Sequence, residues 1–308
     1  MNSLRYFWIR DPSIGSLSRH SITKLCVEDP RTVELDRRFS TPKNLLHSMT
    51  DEELFWRASF VPSVKTYPFK RIEKIAFMFL TKGPLPFVPL WERFFKGNKG
   101  LYSIYIHALP RYSSNFPARS VFLERQIPSQ AAEWGRTSII DAERRLIANA
   151  LLDISNEWFV LISESCIPLQ NFSTVYRYIS GSHYSFVGSF DEDGPYGRGR
   201  YNRKMAPLVT LSQWRKGSQW FEVDRKLALA IIEDSMTLTW VDWTRGGAHP
   251  VTFGKDDVSE DFMRKRILNN STCTYNDEPS TYCFLFARKF APDALDSLLA
   301  IASKVFGY

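Results

Sequence analysis

The stretch IAFMFL, at residues 75–80, decides the fold class of this chain. It is an unbroken apolar run, and it ends at the turn signal TKGP, at residues 81–84. An apolar run of this length that stops at a turn is typical of a strand buried on both faces, as strands of parallel sheets are. We therefore expect residues 75–80 to form a central strand.

Two further apolar runs, Tyr102–His107 and Trp158–Ser163, have the same character. Between the three runs, Pro89–Lys96 and Ser138–Leu152 carry apolar residues at helical spacing with polar residues in between. Strands that alternate with helices predict a three-layer α/β fold with a mostly parallel central sheet. We also expect a short strand at Val121–Leu123.

The second half of the chain has a less regular pattern. We expect a glycine- and charge-rich loop at Gly188–Tyr201, a strand within Trp214–Val223 and a helix at Asp224–Glu233. The remaining expected elements are strands at Leu238–Trp243 and Phe284–Phe290 and a final helix from about Asp293 to Lys304.

Ligands of such sheets bind outside the carboxyl ends of the parallel strands. Polar residues follow the three predicted strands, and the topology brings them to one edge: Thr81-Lys82, His107 and Ser163-Glu164-Ser165. We therefore expect the functional site at this edge of the sheet.

The chain has 308 residues and a net charge of +7. This charge fits a solubilising surface, a nucleic-acid-binding face or a cleft for a phosphate-bearing substrate. The basic residues follow no finger, RRM-like or helix-turn-helix pattern, so we expect no nucleic-acid partner. The basic runs Arg198–Lys204 and Arg288–Lys289 favour the phosphate-bearing substrate. No apolar stretch approaches the roughly 18 residues of a membrane span, so the sequence taken alone predicts a soluble chain.

Short motifs for cofactors and metals are weak in this chain. Neither a dinucleotide fingerprint nor a P-loop occurs, and five histidines make a histidine-based metal site improbable. Asp191 and Asp193 form an Asp-x-Asp motif that is either a metal and diphosphate site or a solvated turn, and the turn is the favoured interpretation. We therefore expect no metal and no cofactor.

Three other patterns each leave two interpretations open. The cluster Trp214, Trp220, Trp240 and Trp243 is either core packing or a platform that stacks on a sugar ring. The pair Arg288–Lys289 is either a solvated strand end or a diphosphate clamp, and its spacing alone favours the strand end. Cys273 and Cys283 flank the polar loop TYNDEPSTY, and they either close it as a disulfide or remain free thiols.

Several long stretches of this chain strongly resemble the plant branch of the core-2/I-branching β-1,6-N-acetylglucosaminyltransferase family, which is similar to glycosyltransferase family 14. The resemblance runs from about Asp51 to the end. Its stretches are IAFMFLTKGPLP (75–86), WGRTSIIDAERRL (134–146), FVLISESCIPL (159–169), GSF (188–190), WRKGSQWF (214–221), TWVDW (239–243) and CFLFARKFAP (283–292).

This resemblance implies a GT-A-like fold, a UDP-sugar donor and a glycan or glycoprotein acceptor. It also implies a Golgi-resident type II membrane protein whose catalytic domain faces the lumen. The animal relatives invert the anomeric centre without a divalent metal, which further disfavours a metal at Asp191 and Asp193. The UDP-sugar is then a donor substrate, and no cofactor is implied.

Residues that match the family's pattern become site candidates through the resemblance. Lys289 matches the basic residue that contacts the diphosphate, which reverses the preference from spacing alone. The donor-binding candidates are Thr81, Trp134, Gly135, Ser138, Ser163, Glu164, Ser165, Arg288 and Lys289, and the acceptor-binding candidates are Trp240 and Trp243.

The chain also departs from the family pattern. The expected membrane anchor is absent, so we interpret residues 1–70 as a stem or lead-in and residues 71–308 as the transferase domain. His107 falls where the animal relatives carry an Asp, so nucleoside recognition must differ. The loop between Cys273 and Cys283 lacks the Arg of those relatives, and Arg288 is the expected substitute.

The most consequential departure concerns the catalytic base. The family carries an Asp-Glu-His string before its TWVDW strand, and the Glu resembles the animal base. Here Glu233 and Asp234 run almost directly into Leu238, so a segment near 235–238 is expected to be missing. No catalytic residue is therefore assigned. The chain is either an active transferase or a non-catalytic family member that binds a nucleotide sugar or a glycan.

Overall fold

The computed structural model of the protein describes residues 45–61, 67, 71–113, 115–207, 209–234, 251–269 and 272–308. Its helices are α1 (Asp51–Ser59), α2 (Val88–Phe95), α3 (Thr137–Leu151), α4 (Phe172–Ser180), α5 (Arg225–Glu233), α6 (Glu260–Phe262) and α7 (Leu295–Val305). Its strands are β1 (Lys74–Leu80), β2 (Tyr102–His107), β3 (Asn156–Ser163), β4 (Ile167–Pro168), β5 (Phe186–Phe190), β6 (Lys216–Asp224), β7 (Cys273–Tyr275), β8 (Glu278–Ser280) and β9 (Phe286–Ala287).

The central sheet has five strands in the order β2-β1-β3-β6-β5. Strands β2, β1 and β3 are parallel, with Phe77 opposite Ile104 on one side and Val160 on the other. Strand β6 runs antiparallel to both of its neighbours, β3 and β5. The parallel strands predicted from the apolar runs are confirmed, and the sheet is parallel at its centre.

Helices cover both faces of this sheet and give the predicted three layers. On one face, α2, α4 and α7 pack against the sheet through buried residues such as Phe94, Val175 and Leu298. On the other face, α1, α3 and α5 bury residues such as Leu54 and Leu146. Both faces of β1 are therefore removed from water, which explains the unbroken apolar run at residues 75–80. The α/β, GT-A-like fold class is confirmed.

Three predicted elements differ in the structure. Val121–Leu123 forms a turn rather than a strand, and the bridge to β2 comes later, between Gln126 and Ile106. The predicted loop at Gly188–Tyr201 begins inside β5, which extends to Phe190. The expected strand at Phe284–Phe290 contains only the two residues of β9, which pair with β4, and Phe290 forms a separate bridge with Phe253.

The described part of the predicted lead-in packs against the sheet domain. Helix α1 begins after Thr50, whose side chain and that of Glu53 form a capping box. Leu54 and Ala58 of this helix are buried, and Asp51 accepts a 2.7 Å hydrogen bond from Arg145 of α3. The packed unit therefore includes residues well before residue 71.

Two further expectations concern residues outside the described ranges. The strand expected at Leu238–Trp243 and the missing segment expected near 235–238 both lie there, so they stay predictions. Within the described ranges, no helix combines the length and the apolar character that a membrane span requires.

Candidate functional site

A pocket of about 300 Å³ opens at the carboxyl ends of the parallel strands. Its walls come from the loops after β1, β2 and β3, the start of α3, the first half of β6 and the segment after β9. The lining residues are Leu80, Thr81, Lys82, His107, Leu109, Ala132, Trp134, Ile139, Ser163, Glu164, Ser165, Gln219, Trp220, Arg288 and Lys289. We call this cavity the rim pocket.

Most of the sequence-predicted donor residues lie together in the rim pocket. Seven of the nine line it, and only Gly135 and Ser138 do not. These two residues instead shape the entry to α3: Gly135 has a φ of +80°, and the Ser138 hydroxyl accepts a 3.0 Å hydrogen bond from the Glu133 amide. They flank Trp134, which is 52% exposed and contributes its side chain to the pocket. The roles of all nine residues stay predictions.

The walls of the rim pocket carry an excess of positive charge. Lys82, Arg288 and Lys289 contribute three cations, and Glu164 contributes the single carboxylate among the lining residues that the structure describes. Cationic side chains around a concave site concentrate negatively charged ligands. The pocket therefore suits an anionic group such as a phosphate.

Among the described residues, Arg288 is held by stacking on an aromatic ring and has no ion pair within 4 Å. Its guanidinium lies 4.2 Å from the centroid of the Trp220 ring, within the range of a cation–π contact. Its Nε is buried and has no hydrogen-bond partner among the described residues. Burial lowers the pKa of Arg288, although a guanidinium remains charged in proteins. Arg288 therefore brings a charged guanidinium to the wall of the pocket.

His107 contributes a neutral group at the end of β2. It is 1% exposed, and burial lowers its pKa to about 4, with the positive charge of Arg145 adding to the effect. Its Nε2 lies 3.4 Å from the Gln130 amide nitrogen and accepts its hydrogen. At neutral pH His107 is therefore an uncharged imidazole, which differs chemically from the Asp of the animal relatives.

The polar residues after β1 and β3 stabilise their own turns. The Thr81 hydroxyl donates to the Gly83 carbonyl oxygen at 3.0 Å and accepts from the Gly83 amide at 3.1 Å. The Ser163 and Ser165 hydroxyl oxygens are 3.0 Å apart, and Ser163 also accepts from the Ser165 amide. These turns fix the floor of the rim pocket.

One polar pair at the rim pocket was missed by the sequence analysis. Gln219 lines the pocket, and its Nε2 donates a 3.0 Å hydrogen bond to Oε1 of Glu143 on α3. Burial raises the pKa of Glu143 to about 8, and the hydrogen bond from Gln219 opposes that shift in part. The only sequence signal was that both residues lie in stretches shared with the family, and that signal does not show that they meet.

The Asp-x-Asp motif lies on the exposed loop after β5, and both of its aspartates form ion pairs with Arg198. Both carboxylate oxygens of Asp191 accept from Arg198, at 2.7 and 2.9 Å, and Asp193 lies 3.0 Å from the same side chain. The hydrogen bonds from Arg198 lower the pKa of Asp191. A metal ion would have to displace Arg198 from both aspartates in order to bind them, which supports the solvated-turn interpretation.

The sequence analysis named two other groups of candidates. Cys273 and Cys283 are joined in a disulfide that closes the β7–β8 hairpin, with their Cα atoms 5.5 Å apart. The acceptor candidates Trp240 and Trp243 lie outside the described residues.

Comparison with known proteins gives two matches. A family model described as core-2/I-branching enzyme matches residues 75–238, which include all the sheet-derived walls of the rim pocket. A rice protein (Oryza sativa subsp. japonica) named Glycosyltransferase BC10 is 32% identical over 309 aligned residues. The alignment covers 74% of this chain and 76% of the rice protein.

Proposed function

Because the chain belongs to the core-2/I-branching enzyme family, we propose that it is a glycosyltransferase whose rim pocket holds the nucleotide of a UDP-sugar donor. The observation that carries the proposal is the pair Arg288 and Lys289, which lines the pocket together with Lys82. Arginine presents a fork of N–H donors and lysine a point charge, and both are common partners of phosphate oxygens. Seven of the nine donor-binding candidates line the pocket at the edge where α/β sheets bind ligands.

The proposed reaction inverts the anomeric centre and uses no metal. Breaking the bond between the sugar and the diphosphate leaves negative charge on the departing UDP, and Arg288 and Lys289 would stabilise it. The acceptor hydroxyl must lose a proton to a carboxylate base. That base stays unassigned, because the family's Asp-Glu-His segment is expected to be missing near residues 235–238. We place the activity in the Golgi lumen, as the family resemblance implies.

A non-catalytic role is the second candidate function. It is favoured by the short connection between Glu233 and the TWVDW stretch, where the family carries its Asp-Glu-His string. In this role the rim pocket would still bind a nucleotide sugar or a glycan, and the chain would act as a binding partner. The two candidates agree on the ligand and differ only in turnover.

The test of the proposed function is calorimetric titration of UDP into the unsubstituted chain and Lys289→Ala. We expect Lys289→Ala to lower UDP affinity about tenfold or more, since a hydrogen bond to a charged group contributes roughly 1.5–3 kcal/mol net of its competition with water. Lys99→Ala is the matched control, because Lys99 is exposed and precedes β2 at the opposite edge of the sheet. Equal affinity of both variants, or no UDP binding by the folded parent, would refute the proposal.

Turnover separates the two candidate functions. Chromatography of UDP-sugar incubated with the chain and a glycan acceptor would detect released UDP and elongated glycan. An active transferase releases both, whereas a non-catalytic member binds UDP-sugar and leaves it intact over the same period.

A further inference from the structure

Gln219 occupies a distinctive place in the rim pocket, next to the end of the central strand β3. Strand β6 pairs antiparallel with β3, and Glu222 is opposite Val160. The pairing ends there, three residues short of Gln219, and Gln219 and Ser163 both line the pocket. Gln219 therefore lies at the junction between the parallel strand ends and the wall that carries Trp220 and Arg288.

Glu143 holds the Gln219 side chain from behind. Glu143 follows Ile139 by one turn of α3, and Ile139 itself lines the pocket. The 3.0 Å hydrogen bond from Gln219 Nε2 to Glu143 Oε1 ties the end of a flexible side chain to a helix packed on the sheet. Fixing a side chain before a ligand arrives reduces the entropy that binding would otherwise cost.

The chemistry of the fixed carboxamide indicates what it can bind. A carboxamide has two N–H donors and one carbonyl oxygen with two lone pairs. Glu143 uses one N–H, so a donor and an acceptor remain side by side at the pocket. Neighbouring hydroxyl groups on a sugar ring offer the matching acceptor and donor.

We propose that Gln219 binds a pair of neighbouring hydroxyl groups on the transferred sugar of the donor, and that Glu143 is the residue that positions Gln219. This inference rests on the proposed function, because it requires a UDP-sugar in the rim pocket. It assigns Gln219 to the sugar, whereas Arg288 and Lys289 act on the diphosphate.

The electrostatics of Glu143 agree with this assignment. Burial raises the pKa of Glu143 to about 8, so the side chain is mostly uncharged at neutral pH. A protonated Glu143 still offers a carbonyl oxygen to Gln219. It positions Gln219 without adding a negative charge beside the three cations of the pocket.

The experiment compares UDP with UDP-sugars in the same calorimeter. A panel of UDP-glucose, UDP-xylose and UDP-N-acetylglucosamine first identifies the sugar that the unsubstituted chain binds most tightly. We expect Gln219→Met, which keeps the side-chain size, to lower affinity for that UDP-sugar five- to tenfold while affinity for UDP changes less than twofold. Glu143→Ala should lower the same affinity by a smaller factor, and Glu143→Gln should restore it.

Control variants make the result specific. Gln213→Met serves as the matched substitution, because Gln213 is exposed on the loop before β6 and hydrogen-bonds Thr210 instead. Thermal unfolding of every variant confirms that the chain is folded, and Gln219→Ala provides a second substitution should Gln219→Met fold poorly.

The outcomes separate this inference from the function on which it rests. Equal losses for UDP and UDP-sugar in Gln219→Met would place Gln219 on the nucleotide and overturn the inference alone. Unchanged affinities in Gln219→Met would also overturn it while leaving the UDP site intact. A parent chain that binds neither UDP nor UDP-sugar would overturn the proposed function and this inference together.

Discussion

The rim pocket has one wall made of strand ends and another made of later, less regular segments, and the two carry different side chains. The first wall contributes the buried, uncharged Thr81, His107 and Ser163, together with the charged Lys82 and Glu164. Thr81 and Ser163 are hydrogen-bonded within their own turns, and His107 accepts from the Gln130 amide. The second wall contributes Arg288 and Lys289, which are partly exposed cations.

The difference teaches that the strand ends supply the buried, uncharged polar residues, whereas two of the three pocket cations come from a later part of the chain. Uncharged polar residues can end buried strands, because their turns satisfy their hydrogen bonds. Cations require water or a ligand nearby, since burying an unpaired charge is costly. Substitutions in the sheet should therefore change stability, and substitutions in the second wall should change affinity.

The largest expected effect tests the sheet side of this comparison. Phe77 in β1 is 0% exposed and packs edge-to-face against Phe94 and Phe95, at centroid distances of 5.8 and 5.0 Å. Phe77→Ala should lower the free energy of unfolding by about 3–5 kcal/mol, because it removes buried ring contacts and leaves a cavity. Denaturant unfolding measures the loss, and Phe77→Leu should lose clearly less.

UDP affinity of the folded Phe77→Ala chain should stay near that of the parent, measured well below its unfolding midpoint. A large loss of affinity there would break the proposed separation between the two walls.

The second prediction concerns Glu143, at the junction between the two walls, and the dependence of stability on pH. The folded-state pKa of Glu143, about 8, lies above its ordinary value. At any pH between those two values, the folded chain holds a proton on Glu143 that the unfolded chain has lost. Stability from the protonated group is complete at low pH and is lost as pH rises toward 8. The full shift corresponds to about 4 kcal/mol at pH 8, and solvent screening of the half-buried Glu143 side chain reduces it. Glu143→Gln should therefore gain about 2 kcal/mol over the parent at pH 8 and little at pH 5.

Thermal unfolding of both chains at the two pH values checks this prediction. Glu222→Gln is a useful comparison, because burial raises the pKa of Glu222 to about 7 and the expected gain is smaller. A parent and a Glu143→Gln variant with the same pH dependence would show that Glu143 is ionised in the folded chain.

The smallest predicted effect sharpens the description of the second wall. Trp220→Leu removes the ring under Arg288, whose guanidinium lies 4.2 Å from its centroid. We expect UDP affinity to fall about fivefold, in line with roughly 1 kcal/mol for a partly exposed cation–π contact. Trp220→Phe should recover most of the affinity by calorimetry. A Trp220→Leu chain with parental affinity would mean that Arg288 needs no such support.

Much of the sheet was predictable from sequence because burial on both faces leaves a strong local signal. The apolar runs at 75–80, 102–107 and 158–163 each became a parallel strand. The polar residues after them met at one edge because parallel strands end together. The helix at residues 137–151 followed from its periodic apolar face in the same way.

The remaining features depend on contacts between residues far apart in sequence. Glu143 and Gln219 are separated by 76 positions, and neither local pattern indicates their hydrogen bond. Val121–Leu123 is apolar enough for a strand, yet it forms turns, with Phe122 buried against Phe79. The spacing of Arg288 and Lys289 alone predicted a solvated strand end. Their pocket was not visible in the local sequence, because its opposite wall comes from the ends of β1 and β3, more than 100 positions earlier.

The most direct test of the second wall is a comparison of UDP with uridine by calorimetry, on the unsubstituted chain and on the double variant Arg288→Ala/Lys289→Ala. If the two cations hold the diphosphate, the unsubstituted chain binds UDP at least about tenfold more tightly than uridine, and this preference disappears in the double variant. An equal affinity for UDP and uridine in the parent, or an undiminished preference in the folded double variant, would contradict the assignment of the diphosphate to Arg288 and Lys289.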